Sequence, residues 1–247
     1  RGPARYRDML LSTGTEEIGH IEILATAVCL NLEGAKSEMV DQVATNPVVS
    51  ARMGGIEPRH FLTTGLGAVV LTTPEGNRAE AGLFGFDGYI PSAAISGTAL
   101  SVHEVSVQIP GTAYSVDYEY FTQRMDASKE FSRVMLAGVE SFAIQLAYTA
   151  VSNAVHDVSE RLARWLLMCH DRMEGDEILL THDALSLMLG VRRPSVTTSL
   201  HVLEGNGFIR SERGVITIRN RPALEEFASD AYGKAEREIR RLLSEVR

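Results

Sequence analysis

Thr181-His-Asp-Ala-Leu-Ser-Leu-Met-Leu-Gly190, followed by Val-Arg-Arg193-Pro-Ser-Val-Thr-Thr-Ser-Leu-His-Val-Leu-Glu-Gly205, is the stretch on which the reading of this 247-residue chain turns. Thr181 suits a helix N-cap, because its hydroxyl can accept from a backbone N–H two or three residues on. Asp183–Leu189 then supplies the helix, and Gly190 suits the left-handed conformation that ends it. Pro194, with no N–H to donate, fits the first turn of a second helix that runs from Ser195 to Glu204 and stops at Gly205-Asn206-Gly207. Helical spacing turns Val196, Leu200 and Leu203 toward the first helix and leaves Arg193, Ser195, Thr198 and His201 facing outward. Phe208-Ile-Arg210, a turn at Glu212-Arg-Gly214, and Val215-Ile-Thr-Ile218 predict a hairpin. Helix, short turn, helix and hairpin make a winged helix-turn-helix. An outward row of Arg and small hydroxyl residues is what a helix needs to enter a major groove and donate to phosphates and base edges.

Charge agrees locally rather than globally. The chain carries a formal −8 (24 Lys+Arg against 32 Asp+Glu), yet residues 190–222 hold six arginines against Glu204 and Glu212, a net +4. One basic patch in an acidic chain fits a nucleic-acid footprint. Two cysteines, Cys29 and Cys169, exclude a disulfide framework, an all-cysteine zinc site and a four-cysteine iron–sulfur cluster, which points to a reducing cytoplasm. No apolar run approaches 18 residues and no signal-peptide pattern is present, so no membrane partner is expected.

Upstream, residues 4–32 carry apolar or small residues in steps of three and four, a helical pattern, with a weaker helix predicted over 36–45 before Asn46-Pro47. From about 66 to 118, short Val/Ile/Thr/Tyr runs alternate with turns at Pro74-Glu-Gly-Asn77, Phe86-Asp-Gly88 and Pro110-Gly-Thr112, predicting an antiparallel β unit. Helix returns over 128–155 with a stripe of Phe131, Met135, Val139, Phe142, Leu146 and Thr149. It resumes over 158–173, with His156-Asp157 as the joint.

The segment from Val158-Ser-Glu-Arg-Leu-Ala-Arg-Trp through Leu-Thr-His-Asp-Ala-Leu-Ser-Leu-Met-Leu-Gly-Val-Arg-Arg-Pro-Ser-Val resembles the DNA-binding domain of Crp/Fnr-type transcription regulators, and the resemblance extends back to about residue 62. It implies an α+β chain with a β-roll effector-like domain, truncated and cyclic-nucleotide-binding-like, over 62–126. A dimerisation helix over 127–156, the winged helix-turn-helix over 157–222 and a helical tail over 223–247 complete it. It also implies double-stranded DNA with a palindromic operator as partner, a homodimer, and RNA polymerase as a further partner. Arg193 and Thr198 fall on base- or phosphate-contacting positions and Thr181 on a phosphate contact. Arg192, Ser195, Thr197 and His201 join them on the recognition helix, and Arg210 and Arg213 on the wing. Members that bind cyclic nucleotides use a Gly-Glu for the ribose and an Arg for the phosphate. Here the comparable turn reads Gly85-Phe-Asp-Gly-Tyr-Ile-Pro, and no Lys or Arg occurs between Arg78 and Arg124. A buried phosphate without a cation is strongly disfavoured, so no cyclic-nucleotide binding is expected.

Near the other end, Glu17-Ile-Gly-His20 places a carboxylate and an imidazole at i, i+3 on one helix face, as dinuclear carboxylate bundles do. Arg5-Tyr-Arg-Asp-Met-Leu-Leu-Ser-Thr-Gly-Thr-Glu-Glu-Ile-Gly-His-Ile-Glu-Ile-Leu-Ala-Thr, with Arg59-His-Phe-Leu, resembles manganese catalase, and by that resemblance Glu17 and His20 are manganese ligands. That family's site needs a Glu before residue 1 and a Glu and a His beyond residue 72, where the chain is already regulator-like. Glu57-Pro-Arg-His60, the one other Glu-x-x-His, contains a proline beside Gly54-Gly55 and reads as loop. Two ligands cannot hold a dinuclear centre, so no cofactor is expected and peroxide dismutation is not. The chain therefore reads as a chimera, produced by fusion, a recombination scar or a misassembled reading frame. A helical, ferritin-like catalase fragment over 1–61 precedes a regulator lacking its first β-strands, with the join within 60–70. The function expected is that of a sequence-specific DNA-binding regulator and not an enzyme; the competing reading is an inactive catalase fragment.

Overall fold

The computed structural model describes residues 39–40, 59–62, 64–90, 95, 104–116 and 118–245. Strands β1 (Met39–Val40), β2 (Arg59–Leu62), β3 (Leu66–Thr72), β4 (Arg78–Phe84), β5 (Tyr89–Ile90), β6 (Glu104–Ile109) and β7 (Ala113–Val116) come first. Helices α1 (Tyr118–Ala127), α2 (Lys129–Val155) and α3 (Val158–Asp171) follow. Then come β8 (Glu177–Ile178), α4 (His182–Leu189), α5 (Arg193–Gly205), β9 (Ile209–Glu212), β10 (Val215–Ile218), α6 (Arg221–Ala228), a 3-10 turn at Ser229–Ala231 and α7 (Lys234–Ser244). The α+β class expected from the sequence is the one observed.

The roll consists of a three-stranded antiparallel sheet in the order β4-β3-β6 and a four-stranded sheet in the order β1-β7-β2-β5. The alternation read over Leu100–Ile109 becomes a strand from Glu104, after the slip at His103-Glu104, with Val105 and Ile109 buried. β4 is an edge strand, and an unpaired edge leaves backbone groups to satisfy. Gln145 of α2 does so: its side-chain oxygen accepts from the Leu83 N–H at 2.7 Å and its amide donates to the Leu83 carbonyl at 2.9 Å.

Two expectations change at the start of the roll. Met39–Val40 is extended and antiparallel to Ala113–Tyr114, where the sequence pattern predicts a helix over 36–45. Arg59–Leu62 is likewise a strand, pairing with β7 on one side and β5 on the other, so the segment 1–61 is not helical throughout. The physical reason is β7, which would otherwise present two bare edges; chain from both sides of Pro47 and Gly54-Gly55 covers them. His60 therefore sits on a strand and not in a loop. Residues 4–32, with the predicted Glu17–His20 pair, lie outside the described residues.

α2 begins at the N-cap Ser128, whose hydroxyl accepts from Phe131 N–H, and ends at His156. Asp157 caps α3 in a reciprocal capping box with Glu160, so the joint predicted at His156-Asp157 is observed. α1 is a helix where the sequence reading places the end of the β unit; Phe121 from it meets Phe131 edge-on at 5.6 Å between ring centroids. The stripe predicted along α2 is buried at Phe131, Met135 and Thr149 and half-buried at Val139, Phe142 and Leu146. Past residue 140 the buried positions are polar: Ser141, Gln145, Thr149 and Ser152. Leu136, Val151 and Val155 are exposed, at 51%, 54% and 67%. α2 is long and apolar enough by composition to cross a membrane, unlike the sequence reading, which found no apolar run of that length.

Candidate nucleic-acid interface

The C-terminal unit is organised by α3, in which every residue from Leu162 to Cys169 is buried, Arg164 included. Around α3 pack Leu185, Met188 and Leu189 of α4, Val196, Leu200 and Leu203 of α5, and Ile209, Ile216 and Ile218 of the hairpin. The inward trio expected of the second helix is thus wholly buried. Thr181 caps α4, its hydroxyl accepting from Ala184 N–H at 3.2 Å, and Gly190 ends it at φ +63° in the left-handed region, both as predicted. Arg161 of α3 donates to the Leu189 carbonyl, so a charged side chain closes the same helix end. β8 pairs with β10, a third strand that the two-strand hairpin expectation missed.

With one face of α5 buried, the other is presented to solvent. Arg193 opens the helix and Pro194 follows it in the first turn, where its missing N–H breaks no helical bond. The N-cap residue, Arg192, makes no side-chain cap bond, so no capping side chain shields the positive end of the helix. Arg193 reaches Asp183 of α4 at 3.4 Å, with side chains 64% and 77% exposed. Thr198 and His201 are exposed, as expected, while Ser195 is only half-buried. Thr198 donates to the Pro194 carbonyl at 3.1 Å and Thr197 to the Arg193 carbonyl at 3.2 Å, which leaves both hydroxyl oxygens able to accept. Thr197 also lies 3.4 Å from His182 Nδ1. Ser199 is turned inward, 3.2 Å from Ser159 of α3.

On the wing, Arg210 pairs with Glu212 at 2.6 Å, both exposed, and Arg213 lies in the exposed turn between β9 and β10. Neither Arg192 nor Arg213 has an ion-pair partner among the described residues. The structure therefore gathers Arg192, Arg193, Thr198 and His201 on one helix face and Arg210 and Arg213 on the adjacent hairpin. Thr181 stands at the start of α4, held by its capping bond. Sequence reasoning overlooked Val202, 38% exposed on the outward side, and Asp183, the tether of Arg193. Val202 was legible as i+4 from Thr198; Asp183 was not, because its pairing crosses between helices.

A second polar centre closes the base of this unit. Arg221 of α6 donates to Asp171 (2.7 Å), to Tyr232 Oη (2.7 Å), to His170 Nδ1 (2.8 Å) and to Glu225 (2.5 Å). A guanidinium only donates, so His170 accepts at Nδ1 and carries its proton on Nε2, which donates to Asp176 at 2.9 Å. Burial, the largest single influence on Arg221, acts to lower its pKa, but Asp171, Tyr232 and Glu225 together outweigh it and hold the guanidinium above the ordinary arginine range. In the roll, Glu80 is buried with one carboxylate oxygen unpartnered, and desolvation pushes its pKa well above the usual range. Cys169 is fully buried, its thiol pushed up mainly by desolvation and then by Glu80. Among the described residues no three His, Cys, Asp or Glu are placed to share a metal ion.

Comparison with known proteins finds two different likenesses along the chain. Residues 160–227 match the Crp-like helix-turn-helix domain, and residues 1–83 match manganese containing catalase. A manganese catalase of Bacillus subtilis is 41% identical over 69 residues, 28% of this chain and 25% of that protein. The chain thus spans about a quarter of the curated relative it matches. A CRP-family transcriptional regulator of Thermus thermophilus superimposes with a TM-score of 0.62 at 17% identity, covering 76% of this chain and 96% of the other. The c-di-GMP responsive global regulator CLP of Xanthomonas campestris gives a TM-score of 0.62 at 14% identity, covering 78% and 98%. The C-terminal unit carries a Crp-like helix-turn-helix, and the architecture from the roll onward is that of Crp/Fnr-type regulators. The catalase match runs on to residue 83, through β3 and most of β4, past the boundary that the sequence reading sets at residue 61.

Proposed function

We propose that this chain is a sequence-specific DNA-binding transcription regulator, acting in the cytoplasm as a homodimer on a palindromic operator, and that it is not an enzyme. The observation that carries this reading is the outward face of α5. Arg193, Thr198 and His201 are exposed on a helix whose other face is locked into the core, beside the unpaired Arg192 and Arg213. A recognition helix requires that division, rigid behind and donor-rich in front. Arg192, Arg193 and the uncapped N-terminus of α5 face phosphate or guanine edges, and Ser195, Thr197, Thr198 and His201 lie along the same groove. Val202 meets a thymine methyl, while Arg210 and Arg213 touch the flanking backbone and Thr181 a phosphate.

The dimer reading rests on α2. Leu136, Glu140, Ala143, Ala147, Ala150 and Ala154 are all exposed at alternating spacings of three and four. That is a heptad seam, and its alanines allow close approach of a second copy. Cyclic-nucleotide insensitivity is supported by Asp87, whose carboxylate is already paired with Arg172 of the C-terminal unit at 2.7 Å. The cation that reaches that turn is therefore engaged. The test is selection of bound fragments from a genomic DNA library, followed by fluorescence anisotropy on the enriched site. Enrichment of a two-fold symmetric sequence bound at least about a thousandfold more tightly than random DNA supports the reading; uniform weak binding overturns it. Calorimetric titration with cyclic AMP and cyclic GMP should give no heat of binding.

The catalase match over residues 1–83 favours a second reading, a manganese-binding fragment using Glu17 and His20. Metal analysis of the purified chain with measurement of oxygen release from peroxide separates the two. Stoichiometric manganese with oxygen evolution favours the enzyme.

A further inference from the structure

We infer that the ion pair between Asp87 and Arg172 is a positioning device that sets the angle of the helix-turn-helix unit to the roll, and with it the half-site separation that two copies of the chain can read. The inference rests on the DNA-binding reading above. Asp87 lies in the turn after β4, and Arg172 caps the C-terminus of α3. The pair is bidentate, Nη2 to Oδ2 at 2.7 Å and Nε to Oδ1 at 3.0 Å, with side chains only 8% and 13% exposed. Each partner is also tied to its own unit. Arg172 Nη1 donates to the Met168 carbonyl at 3.0 Å, and Asp87 Oδ1 accepts from the Gly85 N–H at 2.9 Å. Neither group can turn without breaking a local bond, so the planar fork transmits an orientation from turn to helix. Gly85 permits the approach: a Cβ there would lie 3.0 Å from Arg172 Cβ and hold the turn away.

The rest of the junction combines a few polar contacts with apolar packing: Arg164 of α3 donates to the Gln145 carbonyl of α2 at 3.5 Å, and His156 lies 2.8 Å from Asp230. Leu66, Leu83 and Ile109 of the roll join the core cluster built on α3. Apolar burial is non-directional. Beside the ion pair lies a cleft of about 690 Å³ in the C-terminal unit, to which Asp87 of the roll and Gln145 of α2 also contribute. α4 also packs on β4 and α7 on α2, and the ion pair adds a directional contact to that packing. A buried ion pair adds little net stability, because desolvation offsets the attraction, but it does impose geometry. In a dimer that presents recognition helices about 34 Å apart, one helical turn of DNA, that geometry selects the separation of the half-sites.

The test uses the full chain and the Asp87→Leu/Arg172→Met double variant, which removes both charges and leaves no buried ion unpaired. Binding is measured to the selected operator and to versions with the half-sites moved by one and two base pairs. The wild type should lose at least about tenfold per step. The double variant should melt within a few degrees of it and bind the shifted sites within about threefold of the original. The charge-swapped Asp87→Arg/Arg172→Asp variant should recover part of the discrimination. A readout free of DNA is the distance distribution between spin labels on Asn77→Cys and Asn206→Cys, in a Cys29→Ser background diluted with unlabelled chain. It should be narrow in the wild type and broad in the double variant. A folded, dimeric double variant with wild-type spacing discrimination or an unbroadened distribution overturns the inference. Broadening in a protein that binds no operator at all overturns the DNA reading and leaves the positioning role standing.

Discussion

Replacement of Arg193 by alanine separates a contact role from a structural one, because the structure bounds what the side chain can do for the fold. Its one ion pair among the described residues, to Asp183, spans 3.4 Å between side chains 64% and 77% exposed. Exposed pairs of that kind contribute at most about 1 kcal/mol, and solvent screening takes most of it. For a chain of this size that corresponds to a melting shift of under about 4 °C. The backbone of Arg193 lies in the first turn of α5, before helical N–H bonds are made, and alanine is at least as good a helix former there. Loss of a guanidinium contact in a groove costs about 1–3 kcal/mol, roughly 5- to 150-fold in affinity. The assay is fluorescence anisotropy on the selected operator at two salt concentrations, with a circular-dichroism melt of the same preparation. A phosphate contact would weaken all sequences alike and lower the salt slope by about 1. A base contact would relax preference at one position and leave the slope. If Arg193→Ala melts with the wild type and binds the operator with unchanged affinity at fixed salt, the assignment of α5 as recognition helix would be refuted.

Three further outcomes follow from the same geometry. Leu200→Ala, at a position 1% exposed, should cost about 3 kcal/mol and lower the melting temperature by roughly 6–12 °C, which thermal unfolding reads directly. Ala147→Glu places a charge on the exposed seam of α2 and should convert the dimer to monomer in sedimentation velocity while leaving helicity unchanged; an unaltered dimer would rule out that seam. Glu80 has a folded-state pKa raised by desolvation, so above the unfolded carboxyl pKa the native state binds more protons and stability falls as pH rises. Glu80→Gln should flatten that decline and melt higher than the wild type in neutral and alkaline buffer, read from melting curves taken from acid to alkaline buffer; a variant with the wild-type slope would sink the assignment.

The helix-turn-helix was legible because its signals are local. A hydroxyl cap, a glycine in the left-handed region, a proline confined to a first turn and a 3.6-residue apolar period each act within one or two turns of chain. Hence Thr181, Gly190 and the Val196, Leu200 and Leu203 face hold in the structure, as does the joint at His156-Asp157. The long helix was legible in extent but not in facing. Its stripe runs through Phe142 and Leu146, which are half-buried, whereas beyond residue 140 the buried positions are Ser141, Gln145, Thr149 and Ser152. Gln145 is inside because a β-strand edge needs a donor and an acceptor, a demand that originates 62 residues away.

What composition, capping chemistry and periodicity determine here is therefore the kind of unit at the C-terminus, the sign of its surface and the outward row on α5. Folding decides the rest, since it depends on which distant groups meet. The −8 of the chain conceals a basic patch, and the roll's lack of Lys or Arg from 79 to 123 suggested a turn without any cation nearby. The structure supplies one from outside that window, bringing Arg172 to Asp87 across 85 residues. Neither residue stands out in its own segment, because a carboxylate in a glycine turn and an arginine at a helix end are ordinary features. Their meaning comes from burial, where an unpaired charge cannot be left and a paired one holds its geometry.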